Sequence, residues 1–196
     1  MQRNFSSLDR REAVKTLLAE RGNLLVVSGL GSSSYDVFDV GENLANFYLW
    51  GAMGGAAMVG LGLALAQPKR PVAVVTGDGE QLMGLGSLLT VAAKKPANLS
   101  IIVLDNGHFG ETGMQKSHSG LGARLEVIAG GAGFTSITEI GDLESVATLR
   151  RKLQNFDGPH FARIHIGSAH VERALPPRDG VFLKNRFREN LGFPVN

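Results

Sequence analysis

Apolar residues in this chain follow two spacings that alternate along its length. Unbroken runs at 24–28 (LLVVS), 72–76 (VAVVT) and 101–104 (IIVL) have the continuous, largely β-branched character of parallel strands buried on both faces. Between the second and third runs the spacing changes to threes and fours: Leu82, Leu85, Leu88, Leu89 and Ala92 mark one face of a helix over 80–93. Ser7 followed by LDRREAVKTLLAERG reads as a capped amphipathic helix ending at Gly22. A Gly/Ala-rich stretch ending at residue 66 predicts a helix packed closely on a sheet. Further helices are predicted at 35–38, 123–129 and 142–156, and further strands at 46–49, 134–137 and 160–166. This βα repetition predicts an α/β fold with a doubly wound, mainly parallel sheet of about six strands. A length of 196 residues suits a single domain over 1–196, with a tail from about 176. The amphipathic 181–191 segment of that tail could pack on its own domain or on a partner.

Composition narrows the function classes. Apolar residues at 43% and charged residues at 19% are ordinary for a soluble chain, and a formal charge of +2 gives no reason to expect nucleic acid or a membrane. Residues 50–66 form the only run that could suggest a span, and it is short for a bilayer and rich in glycine and alanine. Residues 1–11 are polar, without the apolar core of a targeting segment. There is no cysteine, which fits a reducing, cytoplasmic location and removes thiol ligands. Histidines 108, 118, 160, 165 and 170 lack the compact spacing of a zinc site.

The candidate chemistry sits at two strand ends. Gly77-Asp78-Gly79 follows one buried run and Asp105-Asn106 the next, so Asp78 and Asn106 should stand side by side at the C-terminal edge of the sheet, where open α/β sheets bind ligands. A carboxylate and an amide oxygen are hard ligands, too few for calcium but suited to a magnesium ion that keeps water and phosphate oxygens. The flanking glycines and the helix starting near Glu80 favour a phosphate. An Asp-Gly hairpin is the alternative, disfavoured by the helical spacing that follows. The turn Gly29-Leu30-Gly31-Ser32-Ser33-Ser34 falls short of a dinucleotide fingerprint, because serine replaces its third glycine.

A GDG closed about thirty residues later by Asn106, together with Leu49-Trp50-Gly51-Ala52-Met53-Gly54, resembles the cofactor motif of thiamine diphosphate enzymes. From LLVVSGLGSSS through DNGHFGETGMQKSHSG to the tail, the chain is similar to the cofactor-binding parts of the sulfopyruvate and phosphonopyruvate decarboxylases. This resemblance implies a thiamine diphosphate-binding fold, with magnesium held by Asp78, Asn106 and the carbonyl of His108. It places Gly31 and Ser32 near the diphosphate with Gly77, Asp78, Gly79 and Glu80, although Ser32 and Ser33 could equally be caps. Gly51 and Ala52 would take the aminopyrimidine, and Met53 would hold the cofactor bent or else fill the core. Phe109 and Gly110 would complete the cofactor site, and Glu111, Lys116 and His118 would lie on a loop over the thiazolium. Glu111 and His118 are the candidate catalytic residues. Glu111 is one residue out of step with the family's proton-transferring glutamate, while Lys116 and His118 could face an anionic substrate or belong to a solvated lid.

The implied reaction is decarboxylation of a small anionic 2-oxoacid. In the family, a glutamate from a second domain of similar size activates the pyrimidine ring. This chain shows no repeat of its own pattern, so a partner subunit carrying that domain is expected, in a hetero-oligomer with at least two copies of each chain. A carboligase or synthase, a 2-oxoacid oxidoreductase subunit, or a non-catalytic nucleotide-binding domain are the alternative readings.

Overall fold

The computed structural model of the chain describes residues 7–195, so the polar start at residues 1–6 lies outside it. In chain order the elements are α1 (Arg10–Leu18), β1 (Leu25–Ser28), α2 (Ser32–Asp39), β2 (Asn46–Tyr48), α3 (Ala56–Ala66), β3 (Val72–Gly77), α4 (Asp78–Met83), α5 (Ser87–Lys94), β4 (Leu99–Asp105), β5 (His108–Phe109), β6 (Gln115–Lys116), α6 (Leu125–Ala132), β7 (Ser136–Ile140), α7 (Leu143–Lys152), β8 (His160–His165) and α8 (Gly180–Asn190). Six strands form one sheet in the order β2-β1-β3-β4-β8-β7, and every neighbouring pair is parallel. The doubly wound α/β expectation holds, including the strand number.

Alternate residues of each buried strand feed opposite faces. Ala73, Val75, Ile102 and Leu104 meet α1, α2 and α7 through Val14, Leu17, Val37 and Val146. Val72, Val74, Ile101 and Val103 meet α3, α5 and α6 through Ala57, Leu61, Leu88 and Leu125. Helix α3 lies close because Gly60 has no side chain; a Cβ there would stand 2.1 Å from Val74 Cγ2. Among the described residues no helix is long and apolar enough to cross a membrane.

Several local expectations are corrected. Asp9, not Ser7, caps α1 by accepting from the amides of Arg11 and Glu12, because Leu8 is extended in a parallel bridge with Ile166. The helix expected over 80–93 is two helices, α4 and α5, interrupted at 84–86. Gly84 lies against the backbone of Gly54, where a Cβ would be 2.1 Å from the Gly54 carbonyl oxygen, so close docking of the preceding turn interrupts the helix. Leu89 consequently faces solvent. The 107–115 loop, with no element predicted, contains β5 and pairs with β6 in an antiparallel ribbon. Strand β7 begins at Ser136 and α6 at Leu125, each two residues later than its spacing predicts.

The tail packs on this chain. Leu183 enters one core, Phe187 contacts Phe47 edge-on at 5.6 Å, and Arg186 donates to the carbonyl of Asn46 at 2.6 Å and pairs with Glu42 at 2.9 Å.

Candidate functional site

The direction in which strands are added to the sheet reverses between β1 and β3. From β1 the chain proceeds to β2 on one side, and from β3 to β4 on the other; the turns leaving β1 and β3 diverge and open a crevice at their C-terminal ends. Leu30, Ser32 and Ser33 line it from the first turn, Gly77, Asp78, Gly79 and Glu80 from the second, and Asn106 with residues 108–112 from the segment after β4. Met53 reaches in from the turn after β2, and Asp36, Leu104 and Ile166 also line it. The register Gly77↔Leu104 sets Asp78 and Asn106 at neighbouring strand ends, as their spacing predicts.

Asp78 is buried, at 2% exposure. Its Oδ2 accepts from the hydroxyl of Ser117 and lies 3.0 Å from that of Ser119. Ser119 Oγ also stands 2.7 Å from Asp105 Oδ1, so its single hydrogen is shared between two carboxylates. Arg163 balances Asp105 at 2.7 Å, whereas among the described residues no cationic side chain pairs with Asp78. Burial, and then the charge of Asp105, push the Asp78 carboxyl above its usual range, partly opposed by the two serines. A divalent cation beside Asp78 would offset both effects.

Asn106 contributes a fixed oxygen. Its Oδ1 accepts from the amide of His108 at 2.9 Å, and the His108 ring nitrogen Nδ1 lies 2.7 Å from the Asn106 carbonyl oxygen. Gly107 takes φ 71°, which folds the segment back so that Ser117 N donates to Gly107 O at 2.8 Å. Among the described residues no three His, Cys, Asp or Glu side chains gather as a metal cage. The donor set fits magnesium, which completes its octahedron with water and phosphate oxygens.

A phosphate has room beside these ligands. Helix α2 starts at Ser32 with no side-chain cap, leaving its first amides for an anion. Gly31 is held at φ 77° under Glu111, where a Cβ would be 2.8 Å from that side chain; a Cβ on Gly79 would strike the ring of Phe109 at 2.5 Å. These two glycines let Phe109 and Glu111 close down on the backbone turns beside the crevice.

Other candidate residues are placed differently. Glu80 lines the crevice but turns its carboxylate back to Thr76, which donates to Oε2 at 2.9 Å; burial raises its pKa. Gly51 and Ala52 form an exposed turn with φ 78° and 49°, and neither lines the crevice; of that trio only Met53 does. Glu111 lines the crevice and pairs with Arg173 at 3.1 Å. His118 and Lys116 are exposed and outside it. The side chains on either side of His118, Ser117 and Ser119, are the ones turned inward, and sequence reasoning passed over them. Their signal was the alternation SHS, which gives a tight turn two residues of one orientation and one of the other.

Because Ser119 orients Asp78, Ser119→Ala is expected to weaken magnesium binding roughly 3- to 10-fold in the presence of thiamine diphosphate, the scale of one charge-assisted hydrogen bond. Calorimetric titration of magnesium measures this, and unchanged affinity would deny the serine that role.

Residues 30–161 match the model of the family described as "Thiamine pyrophosphate enzyme, C-terminal TPP binding domain". Phosphonopyruvate decarboxylase of Streptomyces hygroscopicus is 41% identical over 158 residues, covering 80% of this chain and 39% of the relative. Sulfopyruvate decarboxylase subunit beta of Methanothermobacter thermautotrophicus is 34% identical over 180 residues, covering 92% of this chain and 94% of the relative. Thus the chain spans about two-fifths of the first relative and nearly all of the second. Among solved structures, 2-oxoglutarate:ferredoxin oxidoreductase from Magnetococcus marinus superposes with a TM-score of 0.66 at 18% identity, covering 94% of this chain and 84% of that one. That likeness shows the fold.

Proposed function

The chain belongs to the thiamine pyrophosphate enzymes, as their C-terminal cofactor-binding domain, and from that premise we propose that it is the cofactor-holding subunit of a magnesium-dependent decarboxylase acting on a 2-oxoacid. The observation that carries the reading is the convergence of Asp78 and Asn106 at neighbouring strand ends, in one crevice with the uncapped start of α2. Asp78, the Asn106 amide oxygen and the His108 carbonyl would hold magnesium. The α2 amides and the backbone at Gly77 and Gly79 would take the diphosphate, with Ser32 beside them. Gly51 and Ala52 would present backbone groups to the pyrimidine, and Met53 would set its inclination. When bound, thiamine diphosphate supplies the ring that holds the electron pair released as carbon dioxide departs.

The remaining steps fall to this chain's own residues. Phe109 and Gly110 wall the crevice and exclude water. Glu111, at its mouth, would be the carboxyl that takes a proton from solvent once freed from Arg173 and passes it to the product. His118, outside the crevice, would act only from a closed form of the lid. The named relatives act on sulfopyruvate and phosphonopyruvate, and the substrate proposed here is a 2-oxoacid of that anionic kind. The relative matched over nearly its whole length is a beta subunit. A second subunit is therefore proposed to bring the pyrimidine-binding domain and its activating glutamate, in a cytoplasmic assembly with at least two copies of each chain.

The test is calorimetric titration of the full chain with thiamine diphosphate and magnesium, alone and with a partner of similar size from an adjacent reading frame, followed by assay of carbon dioxide release. Magnesium-dependent binding that tightens with the partner, with decarboxylation only in the mixture, is expected. Absence of cofactor binding in both settings would refute the reading.

A further inference from the structure

Beside the cofactor crevice lies a second cavity, with Arg10, Tyr35, His170 and Arg173 in its wall. The two share Ser32, Asn106, Gly110 and Glu111, so a molecule reacting at the mouth of one could extend into the other. The Arg173 guanidinium stands 5.7 Å over the ring of Tyr35 and donates to Glu111 Oε2 at 3.1 Å. Arg10 is fixed by Asp36 at 2.8 and 2.9 Å and by the carbonyl of Ser32 at 3.2 Å, and Asp36 also faces Arg11. Among the described residues Glu111 is the single carboxylate in the cavity wall, against the Arg173 guanidinium, the His170 imidazole and an Arg10 already paired with Asp36.

The segment carrying Arg173 is tied down. Gly167 N donates to Leu8 O at 2.8 Å, and Arg11 donates to the carbonyl of Glu172. Arg173 is half-exposed, with 55% of its side-chain surface open to solvent, and Glu111 is 37% open. An exposed pair of this kind is weakly held, so an incoming oxyanion can displace Glu111 from the guanidinium, whose planar fork suits a tetrahedral oxyanion.

We infer that this second cavity is the subsite for the far anionic group of the substrate, a sulfonate or phosphonate, and that Arg173 selects for it. The inference rests on the reading of the adjoining crevice as a 2-oxoacid decarboxylase site. It adds a consequence for Glu111: in the absence of substrate the carboxylate is the counter-ion of Arg173, and occupation of the subsite releases it toward the crevice.

The test compares Arg173→Met and Arg173→Lys with the unaltered chain in the complex with its partner, using sulfopyruvate and pyruvate. For Arg173→Met, the ratio of kcat/KM for sulfopyruvate over pyruvate is expected to fall about 10- to 100-fold, through KM for sulfopyruvate, with Arg173→Lys recovering part of it. Equal losses for both substrates, or none, would overturn the inference. Should the complex decarboxylate neither substrate, the proposed reaction fails and the subsite is read directly. Sulfoacetate and phosphonoacetate are titrated into the full chain by NMR, with acetate as the control. Binding lost in Arg173→Met sustains the anion subsite; no binding to the unaltered chain rejects it.

Discussion

Replacing Asp78 by Ala is expected to abolish magnesium-dependent binding of thiamine diphosphate, lowering affinity by more than about 100-fold, since loss of an outer-shell contact alone costs 10- to 100-fold at metal sites. The pH dependence carries a second signature. Burial, and then Asp105, raise the Asp78 carboxyl, and a ligand must be deprotonated to take a metal. Magnesium affinity of the unaltered chain should therefore decline with falling pH, beginning above the usual carboxylate range. The same raised pKa means that the ionised carboxylate weakens the metal-free fold at neutral pH, a cost relieved as pH falls and the group protonates. Asp78→Asn, which keeps the size of the side chain, should leave the metal-free protein at least as stable at pH 7 while still failing to bind the cofactor. Calorimetry with denaturant unfolding on the same samples separates these effects; retained affinity in Asp78→Ala would remove Asp78 from the metal shell.

The largest loss of stability is expected at Arg163. Its Nε donates to Asp105 at 2.7 Å and its Nη1 to Glu126 at 2.9 Å, with Glu139 at 3.6 Å. Glu126 also accepts from Arg124 at 2.7 Å, and Glu139 meets His165 at 2.9 Å. Arg163→Met would leave Asp105 and Glu126 buried without this partner, a change that costs ~3–5 kcal/mol for a broken buried pair. The sign with pH follows from Glu126. Burial alone would raise its carboxyl, but its own backbone amide, Arg124 and Arg163 together bring it below the usual value. A depressed carboxylate stabilises the fold above its unfolded pKa, and that stability is lost as pH falls through the folded one. The deficit of Arg163→Met should thus be greatest near pH 7 and narrow below about pH 4.5. Urea unfolding at the two pH values measures it, and a deficit independent of pH would point to packing instead of charge.

The parts of this molecule legible in the sequence are those fixed by near neighbours. Val72–Gly77 and Leu99–Asp105 are buried on both faces, so their composition alone marks them, and parallel order then brings Asp78 and Asn106 together. Contacts from far along the chain were not legible. The break between α4 and α5 comes from Gly54, thirty residues before Gly84. Ser117 and Ser119 reach Asp78 only because the segment after Gly107 doubles back. Glu80 has the position of a cofactor contact, yet Thr76, near the end of β3, captures its carboxylate. The second cavity needs residues from both ends of the chain, Arg10 and Arg173, which no local spacing could join.

Strand β2 ends the sheet on one side, and an end strand ordinarily offers a free row of backbone groups to any passing chain. Here that row is short, and Arg186 of α8 occupies the carbonyl of Asn46 while Phe187 lies on Phe47. The tail therefore acts as a selvedge: it finishes the edge of the fabric so that another strand cannot be woven on there.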